Sequence, residues 1–480
     1  MVYAGIVLGI VVLLLLVALV KALLTSGQKS AYVADEPEEV SLPLAEKLSK
    51  MVQCDTTSFE GQNDPERFKA FHHVLRELFP LVHEKLEVTD IDGNLLYYWR
   101  GKSREKPILL MSHQDVVPAG GEWKYPPFSG AIADGKVWGR GSADTKCSVM
   151  AFLQAVEELL AEGYTPDCDV YLSSSCTEEW GGDGCPKLVE EIRRRGVDLF
   201  LVMDEGGGII REPIGGIPGN FAMMGVFEKG NADVTFTARG KGGHASAPGK
   251  NTPIDRLSAF VLDVNKYPFK RKLLPEVSAM FSRLSAYGSF PLKLLLGNLW
   301  LFGPLLKIAL PAISATAGAM LRTTVAFTMS SGSQAPNVLP ETATLCANIR
   351  YIPHQAEKET LEILEKLAKK HDLEMTVVHS DDCSPSCDIH GEAFQSVEAA
   401  IQKTFPGLPA IPFVVTGATD ARFYQRVFPN CVRFAPVIYG PEQMAGMHAP
   451  NENIEYNCLP GAVRLYKNLI QGQKRENLLS

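Results

Sequence analysis

Five stretches of this chain carry residues that bind cations or move protons: Ser112-His113-Gln114-Asp115, Asp144 in Gly141-Ser142-Ala143-Asp144-Thr145-Lys146, Thr177-Glu178-Glu179, Asp204-Glu205-Gly206-Gly207 and Met447-His448-Ala449-Pro450. Imidazole nitrogen with carboxylate oxygen is a donor set for zinc and related divalent ions. Two residues apart on an extended segment, His113 and Asp115 project to the same side, which suits a metal-binding imidazole with a carboxylate near it. Asp144 precedes a helix expected from about Lys146. A carboxylate there either caps the helix or bridges two cations with its two oxygens. Glu178 and Glu179, adjacent at a strand end, point to opposite sides, so one is able to take metal while the other faces substrate. Each of these residues has an ordinary structural reading when taken singly. Their convergence would make a two-metal hydrolytic site.

The elements needed to bring them together are visible as a rhythm of short and long apolar runs. Pro107–Met111 is followed by Met150–Leu160, Val170–Leu172 by Leu188–Ile192, and then comes Leu199–Met203. That alternation predicts an α/β fold with a largely parallel sheet covered by helices. Ligands in such sheets bind beyond the carboxyl ends of the strands, and three of the chemistry-bearing stretches follow directly on these runs. A fourth run, Phe434–Ile438, leads through a Gly-containing loop to His448. From Glu228 to about Ser380 the pattern changes to strict alternation, as in Ala232–Thr237, with an amphipathic helix around Glu357–Lys369. This predicts an inserted α+β domain over 228–380, between catalytic segments 41–227 and 381–480.

With 480 residues, 46% hydrophobic and 21% charged, the chain is long enough for two cores, and its net charge of -8 with scattered basic residues excludes a nucleic-acid-binding footprint. Val2–Val20 is uncharged and apolar, and at ~1.5 Å per residue it matches a hydrocarbon core of about 30 Å. The choice is between one membrane helix, residues 2–24, and a signal peptide. No Lys or Arg precedes the run, while Lys21 and Lys29 follow it, which favours an uncleaved single-pass anchor. The same charges lean toward a cytoplasmic catalytic domain, with the extracytoplasmic side as the alternative, and ten cysteines without a disulfide rhythm agree. Residues 25–40 read as a polar linker. A second apolar stretch, Phe290–Leu310, contains Pro291, Lys293, Pro304 and Lys307 and is expected as a buried or membrane-facing helical pair. His72, His73, His371 and His390 fall in no motif, and Cys383 with Cys387 lacks the second pair that a structural zinc requires.

Taken in order, His113-Gln114-Asp115-Val116-Val117-Pro118, Gly139-Arg140-Gly141 with Asp144 and Lys146, Glu178-Glu179, Asp204-Glu205-Gly206-Gly207, Gly243-His244-Ala245-Ser246, Pro336-Asn337-Val338-Leu339-Pro340 and His448-Ala449-Pro450-Asn451-Glu452 resemble the di-zinc family of aminoacylase, carboxypeptidase G and succinyl-diaminopimelate desuccinylase. The resemblance runs from about Leu44 to Leu469. Asn298–Pro304 and Ala319–Thr324 look most like its carboxypeptidase S and N-acyl amino acid hydrolase branch.

It implies a zinc-exopeptidase catalytic domain and an inserted lid and dimerisation domain. One zinc, or another divalent ion, is then held by His113 and Asp204 and a second by Glu179 and His448, with Asp144 bridging. Three carboxylates against two divalent ions leave room for a hydroxide as the metal-activated nucleophile. Glu178 becomes the general base and Asp115 orients His113. His244 reaches a partner's site to stabilise the oxyanion, and Asn337 and Arg350, helped by Thr419 and Arg422, clamp a substrate carboxylate. Thr177, where many relatives have Asp, and Trp180, where a small aliphatic is usual, alter the pocket lining. The implied activity is hydrolysis of an amide next to a free carboxylate, in a dipeptide-like or N-acyl amino acid substrate. An amidohydrolase of non-peptide amides differs only in the acyl pocket. The alternative from another class is a non-catalytic, membrane-tethered peptide or amino acid binding protein on the same fold.

Overall fold

Strands buried on both faces read as continuous apolar runs, and the sheet at the centre of this protein is built from such runs. The computed structural model describes residues 2–62, 64–266 and 268–474; residues 475–480 of the last catalytic segment lie outside them. Its eight-stranded sheet has the order Glu87–Ile91, Asn94–Trp99, Cys168–Ser174, Ser103–Met111, Leu201–Arg211, Cys431–Tyr439, Asn220–Glu228, Ala410–Val415. The four strands from Cys168–Ser174 to Cys431–Tyr439 are parallel to one another. Asn94–Trp99 on one side, and Asn220–Glu228 with Ala410–Val415 on the other, run antiparallel to them, and the edge strand Glu87–Ile91 is antiparallel to Asn94–Trp99.

Alternation along a strand divides the core in two. Ile108 and Leu110 join Leu201 and Met203 in the cluster that includes the buried side of helix Lys146–Ala161. Leu109 and Val202 face the opposite way, against Leu188 and Ile192 of helix Gly184–Arg194.

The inserted domain has its own antiparallel sheet, Thr324–Ser331, Thr342–Arg350, Asn231–Arg239 and Glu374–Asp381 in that order. Helices Pro253–Val264 and Glu357–Lys370 close over it around Phe236, Phe260, Ile349 and Leu364. Part of the range 228–380 lies elsewhere. Helix Pro275–Ser285 packs on the sheet-edge strand Ala410–Val415, and its Val277, Met280, Phe281 and Leu284, with Leu296, Leu306 and Leu321 after it, belong to the catalytic core. The 3- and 4-residue spacing of those four side chains marks a helix but does not say which core receives it.

Residues 25–40 also differ from a free linker. A helix already begins at Glu38, and the extended stretch before it is tied down by its main chain. Ala31 N donates to Gly407 O (3.3 Å), Asn220 Nδ2 to Tyr32 O (3.0 Å) and Asn457 Nδ2 to Ala34 O (3.3 Å). Local composition gives no hint of this because the partners, at 220, 407 and 457, lie far along the chain. The N-terminal helix Val2–Leu24 is consequently mounted on the body. Its Ala18 and Ala22 are buried, Lys21 Nζ donates to Gly297 O (2.7 Å), and Asn298 Nδ2 donates to Ala18 O (3.1 Å). Tyr3–Leu24, with a mean hydropathy of 3.1, is the one unbroken helix among the described residues long and apolar enough to cross a membrane. Phe290–Leu296 and Leu299–Ile313 form a helical pair bent by 100°.

At the centre of the sheet, a Cβ on Gly207 would lie 2.3 Å from Arg433 O and 2.4 Å from Met223 O, both backbone atoms of neighbouring strands. Gly207→Ala is expected to cost about 1–3 kcal/mol through forced strand separation. Gly249→Ala, where a Cβ meets nothing within 4 Å, is the neutral control. Denaturant midpoints of the full chain in detergent check this, and equal midpoints would contradict the close approach.

Candidate metal centre

Where the strand Ser103–Met111 ends, the chain delivers His113, which is 2% exposed, to the rim of the sheet. Its Nδ1 lies 2.9 Å from the backbone carbonyl of Asp115, which only accepts, so Nδ1 carries the hydrogen. That leaves the Nε2 lone pair facing Asp144 Oδ1 at 3.2 Å. Two acceptors confront each other there, an arrangement that calls for a cation or a proton between them.

Asp144 sits in a turn made by Gly139 (φ 143°) and Gly141 (φ 84°), which adopt backbone angles that L side chains rarely take. Helix Lys146–Ala161 starts after Thr145 without a side-chain cap, so Asp144 does not cap it. The buried Glu452 fixes the turn: it accepts from Ala143 N (2.9 Å), Asp144 N (3.0 Å) and Arg140 Nη1 (2.6 Å). Opposite, His448 has a left-handed backbone (φ 58°) and places Nε2 3.0 Å from Asp144 Oδ2 and 3.2 Å from Glu179 Oε2.

The paired acids lie on the single 3-10 turn Glu178–Trp180 and not at a strand end. Asp115 holds this turn. Its carboxylate accepts from Glu178 N (3.2 Å), Glu179 N (3.1 Å) and the Ser58 hydroxyl (2.6 Å), while its Oδ1 is 3.5 Å from His113 Nδ1. Asp115 thus orients the imidazole chiefly through its carbonyl and the two glutamates through its side chain.

On Leu201–Arg211 the alternation decides between two acids. Leu201 and Met203 face the core under the Asp144 helix, and Glu205 continues that series. Glu205 lines the same cavity as Asp144, Glu178 and His448. Asp204 points away: Oδ1 accepts from Glu205 N and Oδ2 from Ala421 N, both at 2.8 Å. Of the sequence-derived ligand set, His113, Asp144, Glu179 and His448 are brought together and Asp204 is not. Counting alternate residues from the apolar run would have singled out Glu205.

The electrostatics test whether cations fit. Burial pushes Glu178 and Glu205 well above the usual carboxylate range, and Asp204 up to about 7, with neighbouring carboxylates adding to each shift. Hydrogen bonds to Asp144 and Glu179 push His448 up to about 10. Burial opposes charge on His113, yet its Asp115 and Asp144 contacts raise it well above the ordinary value. Such a surplus of buried carboxylate calls for positive charge. Ligand atoms of His113, Asp144 and Glu179 lie within 4.8 Å of one another, and their mixed N and O donors suit zinc.

The cavity beside these groups has a volume of about 420 Å³ and an apolar wall of Ile210, Met223, Met320, Phe413 and Met447, of which Ile210, Met223 and Phe413 fall in no motif. A larger cleft of about 610 Å³ on the inserted domain, lined by Arg239, Lys241, Arg256 and Lys370, holds none of the rim carboxylates and lies apart from the chemistry. Thr419 also lines the catalytic cavity, and its hydroxyl and N–H donate to Glu228 (2.6 and 2.8 Å). Arg422 Nη1 donates to Thr419 O (2.9 Å), and Arg422 is close enough to weaken the protonation of half-buried Arg350, after the larger effect of burial. His244 and Asn337 are exposed on the inserted domain and do not line this cavity within one chain; His244 Nδ1 accepts from Ser246 N at 3.1 Å. Nor does either family departure line it. Thr177 is buried, with its hydroxyl accepting from Gly184 N (2.9 Å), and Trp180 borders a separate shallow cleft.

A mostly parallel α/β sheet with imidazoles and carboxylates at its carboxyl rim defines a metal-dependent hydrolase of the exopeptidase type. The chain belongs to the peptidase family M20/M25/M40, whose family model matches residues 109–472. It is similar to the N-fatty-acyl-amino acid synthase/hydrolase PM20D1 of Xenopus tropicalis, 33% identical over 94% of this chain and 90% of that protein. It is 30% identical to the Dictyostelium discoideum protein named Probable carboxypeptidase S-like 2, over 90% of this chain and 86% of that one. The fold matches the M20 family metallo-carboxypeptidase Sso-CP2 from Sulfolobus solfataricus with a TM-score of 0.67 at 18% identity, covering 89% of this chain and 98% of that one. The protein is therefore an enzyme with metallopeptidase or amidohydrolase activity, which sets aside the non-catalytic alternative.

Adding zinc to the metal-stripped full chain should raise its Tm, because the cluster exists only in the folded state. Glu205→Ala should reduce the zinc retained per chain, read by elemental mass spectrometry, more than Asp204→Asn does. The opposite order would return the ligand role to Asp204.

Proposed function

We propose that this enzyme hydrolyses N-acyl amino acids, cutting the amide between an apolar acyl group and an amino acid with a free carboxylate. The observation that carries this reading is the apolar wall of Met223, Met320, Phe413 and Met447 directly beside Glu178. Similarity to N-fatty-acyl-amino acid synthase/hydrolases supports it. Dipeptide-type carboxypeptidase action needs the same rim and differs in the acyl pocket alone.

His113, Asp144, Glu179, Glu205 and His448 are the residues that would hold two zinc ions, which would supply Lewis acidity there. Glu178 takes the proton from water as its oxygen bonds to the amide carbon. The same carboxyl returns the proton to nitrogen as the C–N bond breaks, releasing a carboxylic acid and an amino acid. Its burial, which favours the protonated carboxyl, brings its affinity for a proton closer to that of the groups it serves. Arg350, by its planar fork, and Arg422 receive the amino acid carboxylate, with Asn337 reaching it from a second copy; Thr419, whose two donors are held by Glu228, shapes the wall instead. His244, exposed with Nδ1 already occupied, presents Nε2–H to the carbonyl oxygen in a second copy. That places a homodimer on the inserted domain, whose outer strands Thr324–Ser331 and Glu374–Asp381 are largely exposed. The N-terminal helix tethers the enzyme to a membrane as a single-pass anchor.

Glu178→Gln should retain metal while kcat falls about 10²- to 10⁴-fold. Near-normal turnover on N-acyl amino acids would sink the mechanism. Arg350→Ala should raise KM for substrates with a free carboxylate and leave their amidated analogues unchanged, and equal losses on both would remove Arg350 from carboxylate recognition.

A further inference from the structure

The bent helix pair after residue 289 presents apolar side chains to the outside. Trp300 is 51% exposed, Leu305 57%, Ile308 66% and Ile313 78%. Neither half can cross a bilayer. The longer helix, Leu299–Ile313, has 15 residues, and at ~1.5 Å each it falls well short of the ~30 Å hydrocarbon core. Pro304 and Pro311 lie within it. Such a helix suits one leaflet, lying shallowly with its apolar side inward.

We propose that Phe290–Leu296 and Leu299–Ile313 form a lipid-docking face that sits in one leaflet beside the N-terminal helix and opens the apolar wall of the catalytic cavity to the bilayer. Its delivery clause rests on the N-acyl amino acid reading; the docking does not.

Three observations point to lipid as the occupant. First, the face is continuous with the apolar N-terminal helix. Lys21 Nζ donates to Gly297 O and Asn298 Nδ2 to Ala18 O, so the bend between the two short helices is clamped to the last turns of Val2–Leu24. A bilayer holding that helix meets the helix pair at the end where Lys21 reaches the interface. Second, charge is one-sided. Between Glu276 and Glu341 the chain has no Asp or Glu, and its only charged residues are Arg283, Lys293, Lys307 and Arg322. Apolar helices that carry lysines and no acids complement an anionic leaflet. Third, the face leads to the chemistry. Leu299–Ile313 passes through Ser314 into the short helix Ala315–Ala319, and Thr316 and Met320 line the cavity that holds Glu178. A long acyl chain lying in the leaflet thus has an apolar path to the amide-cleaving rim without crossing water.

The full chain, reconstituted in phosphatidylcholine and phosphatidylglycerol vesicles whose acyl chains are brominated, tests docking by tryptophan quenching. Trp300 should supply a quenched component that disappears in Trp300→Phe. Equal fractional quenching in the two proteins, or none in either, would overturn the proposal, and a cross-linked dimer formed by Ile308→Cys would put a second copy on the face instead. Leu305→Asn with Ile308→Asn tests delivery. KM for a vesicle-borne long-chain N-acyl amino acid should rise about fivefold or more with turnover of a soluble N-acetyl amino acid unchanged. Parallel losses on both substrates, or no change on either, would overturn delivery. If the unsubstituted enzyme cleaves neither substrate, the N-acyl reading and delivery fail together, while quenching still decides docking.

Discussion

The controlling constraint in this molecule is the concentration of buried carboxylates at one rim of one sheet. An ionised carboxylate taken out of water without partners carries a penalty of several kcal/mol. The surrounding structure is arranged to offset that penalty group by group. Asp115 accepts two main-chain N–H groups and a hydroxyl, Asp204 accepts two N–H groups, and Glu452 accepts two N–H groups and the Arg140 guanidinium. Asp144 and Glu179 share His448. Glu178 and Glu205 are left with raised proton affinity beside the cavity, where the donors that hold Asp115, Asp204 and Glu452 do not reach them.

The same logic links the site to the inserted domain. Glu228, the last residue of its strand before the insertion, accepts from Arg433 (2.6 Å) and from both donors of Thr419. Next to it, buried Lys229 donates to Ala319 O (2.9 Å) and Arg322 O (3.0 Å), where the chain prepares to re-enter the inserted sheet. Two of the four crossings between the domains, near residues 229 and 322, are therefore fastened close to the cavity-lining residues Thr419 and Met320.

Hydrophobicity organises the other side of the molecule. The extended stretch after the N-terminal helix is bonded along the catalytic domain, the helix itself is clamped to the bent pair, and the pair runs into the cavity lining. The chain is thus continuous from the exposed apolar pair to the cavity wall, where apolar side chains stand beside the carboxylates, with Met447 preceding His448 in the chain and standing on the same wall.

By itself the sequence determined the alternation of buried runs, the parallel sheet, the existence of a second alternating domain and the side chains His113, Asp144, Glu178, Glu179 and His448, because these depend on local periodicity and on side-chain chemistry. Tertiary structure alone decided what depends on partners far along the chain. Alternation along the strand already turns Glu205 to the cavity, but the main-chain donor that holds Asp204 on the other side comes from Ala421, more than two hundred residues away. Helix Pro275–Ser285 lies in the catalytic core because the strand it covers, Ala410–Val415, belongs there. Asp115 supports the glutamates through N–H groups that no motif records. Residues 25–40 are bound to partners near 220, 407 and 457, which local composition does not describe. A periodic pattern states that a residue has a buried face, but the partner buried against it is chosen by packing summed over the whole chain.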